Sequence, residues 1–575
     1  MKRRDFIRRF PLVAGVPFAI GGVPIRLYAE RNTMMRMAEV STNDNVLIIL
    51  QMHGGNDGLN TLIPIEQYDQ YYSRRANIAI PDKNSIRKII PLDSTLPSPD
   101  QVGLHPDMNA IKELYDQGRV KIIQGVSYKN NNGSHFRGRD IWFMGGGFED
   151  YYSSGWVGRY LQKEYAPQIY PDDFPNASMP DPLAIELGSD ISLIFHQEGN
   201  IPTSISLGSD PEAFANLVSQ LEGFEDEGID PRGRPPVSLD NSPYGRELNW
   251  ILSLEDKSED YAQRLLEVYE NANATSITYP ETYPFNAPAG NLRNSLSPQL
   301  QLIARLLDGG GPGLGVKTKV FLVKLGGFDT HASQVEAYDP TMGVHAAKLY
   351  HIAAAMNAFQ ADLRSRGIED RVLTVTTSEF GRRISSNGSF GTDHGTGAPL
   401  FIFGKGVIPG MIGTNPDLSP EISNVQMQYD YRQVYANILL DWMGVEENTI
   451  NNDVFFGNFI NGPREDGGFY EKLPIAGDSV TGFEAFITDR YFIKSLYPNP
   501  ASEETVLSFH INNELPIHFT IMDAKGRIMK EIVKECIQPG AHKLKIDVQD
   551  LKTGLYLCEF KAGIYKETKK LLITK

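Results

Sequence analysis

The chain has 575 residues, 41% hydrophobic and 22% charged, which is ample for one large core plus a smaller domain and too long for a single compact unit. Its formal charge of −16 argues against nucleic acid as a partner, because a phosphate backbone demands a basic face. The two cysteines, Cys536 and Cys558, both lie near the C-terminus, so the large domain folds without disulfides and has no thiolate metal site.

Residues 1–30 read as an export signal. Lys2, Arg3 and Arg4 form a basic start, and the apolar run from Phe10 to Ile25 is too short and too broken by Gly and Pro to span a membrane. Arg3-Arg4-Asp5-Phe6-Ile7 resembles the twin-arginine motif, which implies transport of a folded protein; an ordinary secretory signal also starts with basic residues, so both routes stay open.

From residue 45 to 477, strand and helix patterns alternate. Val46-Leu47-Ile48-Ile49-Leu50 is wholly apolar, as a strand buried on both faces must be. The clearest crossover runs from Val320–Val323 through a helix to Val372–Thr376. That helix carries Leu349, Ile352, Met356, Phe359 and Leu363 on one face and is capped near Gly367. The pattern predicts an α/β domain, a mostly parallel sheet sandwiched by helices, with ligands at the loops after strand ends. The stretch from Gly199 to Ser297 reads as an insertion or cap, and Gly309–Gly313 as a helix stop rather than a phosphate loop, because it follows a helix instead of opening one.

The loops after these strands are dense in carboxylates and imidazoles. They hold Asp57 in His53–Gly58, Asp329 and His331 in Gly326–His331, Glu379 and Arg382 in Ser378–Arg383, and Asp393 and His394 in Gly391–Gly395. Such a set suits a divalent metal, zinc first, with manganese, iron or calcium as alternatives. Its candidate ligands are Asp57, Asp329, His331, Glu379, Asp393 and His394. Another strand, Lys121–Val126, leads to Ser134-His135-Phe136-Arg137. Ser134 fits two compatible roles: the N-cap of a helix, and a nucleophile activated by neighbouring metal. His135, Arg137 and Arg382 complete the catalytic candidates, the arginines as clamps for an anion.

Residues 478–492 read as a linker. Residues 493–575 alternate apolar and polar in Leu507-Phe509-Ile511, Ile517-Phe519-Ile521 and Leu544-Ile546-Val548, with turns between, which predicts a small antiparallel β-sandwich. Leu496-Tyr497-Pro498-Asn499-Pro500-Ala501, Gly526-Arg527, Gly554-Leu555-Tyr556 and the basic ending Lys569–Lys575 closely resemble the type A sorting domain of the type IX secretion system. The resemblance implies that type IX machinery is a partner, that the protein crosses the periplasm to the outer-membrane surface or the medium, and that this domain is usually removed.

Gly54–Leu59, Ser134–Phe136, Gly155–Arg159, Gly326–His331, Ser378–Arg382 and Thr392–Gly395, in that order, resemble the domain of unknown function 1501 family, within the alkaline-phosphatase/sulfatase-like superfamily. That likeness implies a hydrolase or transferase acting on an anionic phosphate or sulfate ester, with the nucleophile at Ser134 and ligands at Asp329, His331 and His394. The superfamily's Asp-His pair becomes Glu379-Phe380 here, and its first-strand acid is displaced to Asp57. These departures also admit a one-metal site, or a non-catalytic surface binding protein on a degenerate fold of this type.

Overall fold

The computed structural model describes residues 18–20, 23–25, 43–208, 260–477 and 491–575, except 512–514, 524–526, 538–539 and 563–564. The chain divides into residues 1–44 and 45–575. Of the first unit, Phe18–Ile20 and Val23–Ile25 form an antiparallel pair, and the remainder of the export-signal reading lies outside the described residues.

In the second unit, nine strands make one sheet: β1 (Val46–His53), β2 (Val120–Ser127), β3 (Ala184–Leu187), β4 (Ser204–Leu207), β5 (Val320–Gly326), β6 (Val372–Thr377), β7 (Ala398–Phe403), β8 (Gly410–Ile412) and β9 (Tyr429–Asp430). Their order is β4-β3-β5-β1-β6-β7-β2-β8, with β9 also on β2. All pairings are parallel except those of β7, which runs antiparallel to both its neighbours. The crossover from β5 to β6 joins parallel strands as expected, but it passes over β1, which lies between them and pairs with both.

Among the helices of the described residues are α1 (Tyr68–Arg75), α2 (Asn109–Asp116), α3 (His135–Met144), α4 (Trp156–Glu164), α5 (Leu296–Asp308), α6 (Val344–Ser365) and α7 (Tyr431–Asp441). The period-2 geometry of a strand decides which core each residue joins. Leu47, Ile49, Leu322, Leu400 and Ile402 face α3, α4 and α7, whereas Ile48, Leu50, Phe321, Phe401 and Phe403 face α2, α5 and α6. Both faces are covered, which is why these strands read as unbroken apolar runs. The predicted stripe of α6, from Leu349 to Leu363, is buried in the second core. Gly309 closes α5 in the left-handed region, φ 56°, confirming the Gly-rich run as a helix stop.

Seven strands form the C-terminal part: β10 (Tyr491–Tyr497), β11 (Glu504–Ile511), β12 (Leu515–Met522), β13 (Ile528–Ile537), β14 (Gly540–Asp547), β15 (Gly554–Ala562) and β16 (Tyr565–Ile573). They make two antiparallel sheets, β10-β11-β14 and β13-β12-β15-β16. Leu507, Phe509, Ile517, Phe519, Ile521, Ile546 and Val548 fill one core between them. Cys536 lies on β13 and Cys558 on β15, with β12 between those strands. Cys558 is a free, buried thiol whose pKa burial raises to about 12. Among the described residues, no helix is long and apolar enough to cross a membrane.

Candidate metal centre

The ends of β1, β5 and β6 lie side by side, and the reversed direction of β7 brings its start to that same edge. His394, four residues before β7, therefore meets residues that follow the other strands. Helix α3 begins there too. Ser134 is its N-cap, extended at φ −86° and ψ 122°, with Oγ accepting from Arg137 N at 3.4 Å. His135 is the first helical residue.

Three imidazoles converge on the half-exposed carboxylate of Asp329. His135 Nε2 lies 3.3 Å from Asp329 Oδ2, while His331 Nε2 and His394 Nε2 each lie 3.4 Å from Oδ1. The other nitrogen of each ring is occupied. His135 Nδ1 is 2.8 Å from Glu379 Oε1, and His394 Nδ1 is 2.6 Å from the Gly133 carbonyl. His331 Nδ1 is 3.5 Å from Asp393 Oδ1. A carbonyl only accepts, so the His394 proton sits on Nδ1 and its Nε2 presents a lone pair. The same logic with Glu379 leaves His135 Nε2 as a lone pair, and that buried atom has no hydrogen-bond partner. His331 Nε2 and His394 Nε2 stand 2.8 Å apart, a pairing that needs a proton or a cation between them.

His135, Asp329 and His394 offer ligand atoms all within 4.8 Å of one another. For bonds of about 2.0–2.1 Å, the edge of a tetrahedron is about 3.3–3.4 Å, the spacing seen between these nitrogens and the Asp329 oxygens. The donors, an orphaned lone pair and rings turned by acceptors on Nδ1 all fit a zinc-like ion. Burial pulls the Asp329 carboxyl upward, but the Arg382 guanidinium and the two histidines outweigh it and hold it at about 2. His135 is raised, first by its hydrogen bond to Glu379. His394 is lowered, first by burial and then by Arg382.

Other predicted site residues stand elsewhere. Asp57 is buried in an ion pair with Arg75 at 2.8 Å and accepts from Gln334 Nε2 at 2.6 Å, which removes it from the ligand cluster. Glu379 contacts no lone pair of the cluster directly; it turns His135 and accepts from Gly54 N at 2.8 Å. Asp393 faces Asn387 and the back of His331, and the Asn387 hydrogen bond leads in lowering its pKa. Arg382 is not a free clamp: buried, it donates to the carbonyls of Gly54, Gly55, Phe328 and Thr392 and to Asp329. Arg137 turns to the carbonyls of Phe148 and Asp150 and stacks over Tyr151 at 3.9 Å.

One contributor went unread in the sequence. Gln334 accepts from Thr330 Oγ1 at 2.9 Å and from Thr392 Oγ1 at 2.8 Å, tying the loops of His331 and His394 together; a lone Gln in a loop gives no sequence signal. The buried Phe380 ring packs 4.7 Å from His135 and 4.5 Å from His394. The sequence already marks Phe380, in Glu379-Phe380, as standing where an imidazole is missing.

Residues 235–452 match the family described as protein of unknown function (DUF1501), and residues 495–574 match the secretion system C-terminal sorting domain. No curated protein matches. Among solved structures, a sulfatase from Pseudoalteromonas sp. is 11% identical over 91% of this chain and 88% of its own, with a TM-score of 0.30. An alkaline phosphatase from the Antarctic bacterium TAB5 is 11% identical over 64% of this chain and 92% of its own, with a TM-score of 0.26. A beta-glucuronidase from Parabacteroides merdae aligns over 15% of this chain at 15% identity and a TM-score of 0.13, so that the chain spans only 13% of that protein. The sorting domain marks the protein for export by type IX secretion to the cell surface or the medium. The chain is thus similar to the DUF1501 family over residues 235–452, and its C-terminus matches a secretion-system sorting domain over residues 495–574.

Proposed function

We propose that the protein is an exported metal-dependent hydrolase or transferase of phosphate or sulfate esters. The observation that carries this reading is the convergence of three imidazole Nε2 atoms on Asp329, each ring turned by a partner on its Nδ1. His135, Asp329 and His394 would hold one divalent ion, with His331 beside them. Such an ion supplies Lewis acidity toward an ester oxygen and lowers the pKa of a nearby hydroxyl. Ser134, next to His135 at the start of α3, is the nucleophile, and the helix N-terminus favours the ester anion there. Glu379 holds the His135 proton on Nδ1, and Arg382 keeps Asp329 ionised.

The test is elemental analysis of the purified protein beside an Asp329→Ala/His394→Ala double variant. The expected result is near one equivalent of zinc, manganese, iron or calcium in the parent, lost in the variant. It goes with metal-dependent turnover of 4-nitrophenyl phosphate or sulfate that Ser134→Ala abolishes. A parent that takes up no ion after refilling, and whose ester turnover survives Ser134→Ala, would sink the reading. A non-catalytic surface binding protein is the second reading. The commitment of Arg382 and Arg137 to backbone carbonyls favours it, because neither is left to neutralise an ester anion.

A further inference from the structure

The C-terminal sandwich carries an apolar surface that its own core does not use. In β12, β15 and β16, Phe519, Ile521, Tyr556, Cys558, Leu571 and Ile573 are buried between the two sheets. Side chains alternate across a strand, so the residues between these face outward. Strand register places five apolar ones together. Ile528 of β13 pairs with Met522 of β12, and Met522 pairs with Leu557 of β15. Leu555, two residues before Leu557, pairs with Leu572 of β16. Ile528, Leu555 and Leu572 are 56%, 51% and 40% exposed. The other end of this outer face is polar, with Thr520 paired to Glu531 and Glu559, and His518 to Lys561.

Leu555 and Leu572 stand in segments that carry the sorting-domain resemblance, yet they differ from their neighbours there. In Gly554-Leu555-Tyr556, Tyr556 is buried and its hydroxyl donates to the Lys552 carbonyl at 3.0 Å. In Lys569–Lys575, Asn499 binds the Lys570 carbonyl and Leu572 N, while the side chains of Leu571 and Ile573 fill the core. The side chains of Leu555 and Leu572 belong to neither the turn nor the core. A contiguous exposed apolar patch with a polar rim marks a surface for a partner. The rim here is basic. Lys570 stands opposite Leu557, and Arg527, with its side chain 73% exposed, precedes Ile528. Residues 491–575 hold 13 Lys and Arg against 10 Asp and Glu, in a chain whose total charge is −16.

The patch is open in the full chain, so the acidic central domain of the same molecule does not cover it. A second copy of this face is a poor occupant, because a two-fold contact brings the two basic rims together. An apolar pocket edged with carboxylates covers the leucines and pairs with Lys570 and Arg527 at once. We propose that Ile528, Met522, Leu557, Leu555 and Leu572 form the docking face of the sorting domain, and that its occupant is a protein of the type IX secretion machinery with such a pocket. The inference is independent of the hydrolase reading, since neither the metal centre nor an ester takes part.

The experiment follows the full chain, expressed in a bacterium that has type IX secretion, by cell fractionation and immunoblotting. Leu555→Asp/Leu572→Asp is expected to lower the surface and medium fraction about tenfold and to leave the chain in the periplasm, because two apolar anchors are lost from the contact. Its circular dichroism and melting temperature after purification are expected to match the parent, as both side chains lie outside the core. Leu555→Ser/Leu572→Ser gives the same reading should the Asp pair fail to fold. Val533→Asp is the control: Val533 is 58% exposed and paired with His518 at the polar end, and its variant is expected to be exported like the parent. Parental export of a folded double variant, or an equal block by Val533→Asp, would overturn the assignment. So would a dimer of the purified parent, seen by sedimentation, that the double variant dissolves, because the occupant would then be a second copy.

Discussion

His345 shows how a residue outside the ligand cluster governs the conditions under which it survives. It is fully buried on α6, its Nε2 is 3.1 Å from Asn56 Oδ1, and burial lowers its pKa to about 4 despite nearby Asp57. Unfolded, the same imidazole titrates near 6.5. Between these values the unfolded chain binds a proton that the folded chain refuses. Stability is therefore full above pH 6.5 and falls as the pH drops toward 4, by up to roughly 3 kcal/mol from this group. Denaturant titrations across this range should show that slope, flattened in His345→Gln; an unchanged slope would assign acid sensitivity to other groups. Arg382 teaches the opposite lesson about legibility. Its sequence neighbourhood suggests a free anion clamp, yet the carbonyls of three separate loops converge on it, and no local pattern announces such a convergence.

At the scale of elements, the strands were readable because a sheet covered on both faces leaves apolar runs such as Val46–Leu50 that no exposed loop tolerates. The helical stripe of α6 was readable for a similar reason. The direction of β7 was not, since Pro399–Phe403 has the same apolar content whichever way it runs, and strand order was equally silent. The ligand loops were found by composition, but which members point inward depends on backbone turns. Gly54 is one such turn: its φ is +123°, and a Cβ there would stand 2.2 Å from Asp329 N. Gly54→Ala must push the β1 and β5 loops apart. It should cost roughly 2 kcal/mol or more of stability and most of the bound metal, read by thermal melting and elemental analysis. Retention of both would mean that the loops are looser than this packing implies.

For the molecule as a whole, the sorting domain was the most legible part, because its motifs are short, ordered and tied to turns, whereas the chemistry of the central domain depends on residues hundreds of positions apart. A chain ending at residue 490 lacks the whole β10–β16 sandwich. It should accumulate in the periplasm with its metal content unchanged, as cell fractionation and elemental analysis would reveal; arrival at the surface without the sandwich would contradict the assignment of the address to residues 493–575.

One feature of that sandwich reaches into protein synthesis. Ala501 N donates to the Leu572 carbonyl, Thr574 N donates to the Ala501 carbonyl, and Asn499 Nδ2 donates to the Lys570 carbonyl. The opening motif and the last strand are thus laced to each other. A ribosome that has translated Tyr497–Ala501 has written the letters of the motif without its shape, which forms only when residues 570–574 have emerged. A chain broken off before residue 570 lacks the strand partners that hold Asn499 and Ala501 in place. Order in the motif at residues 497–501 is thus coupled to order in the strand some seventy residues later.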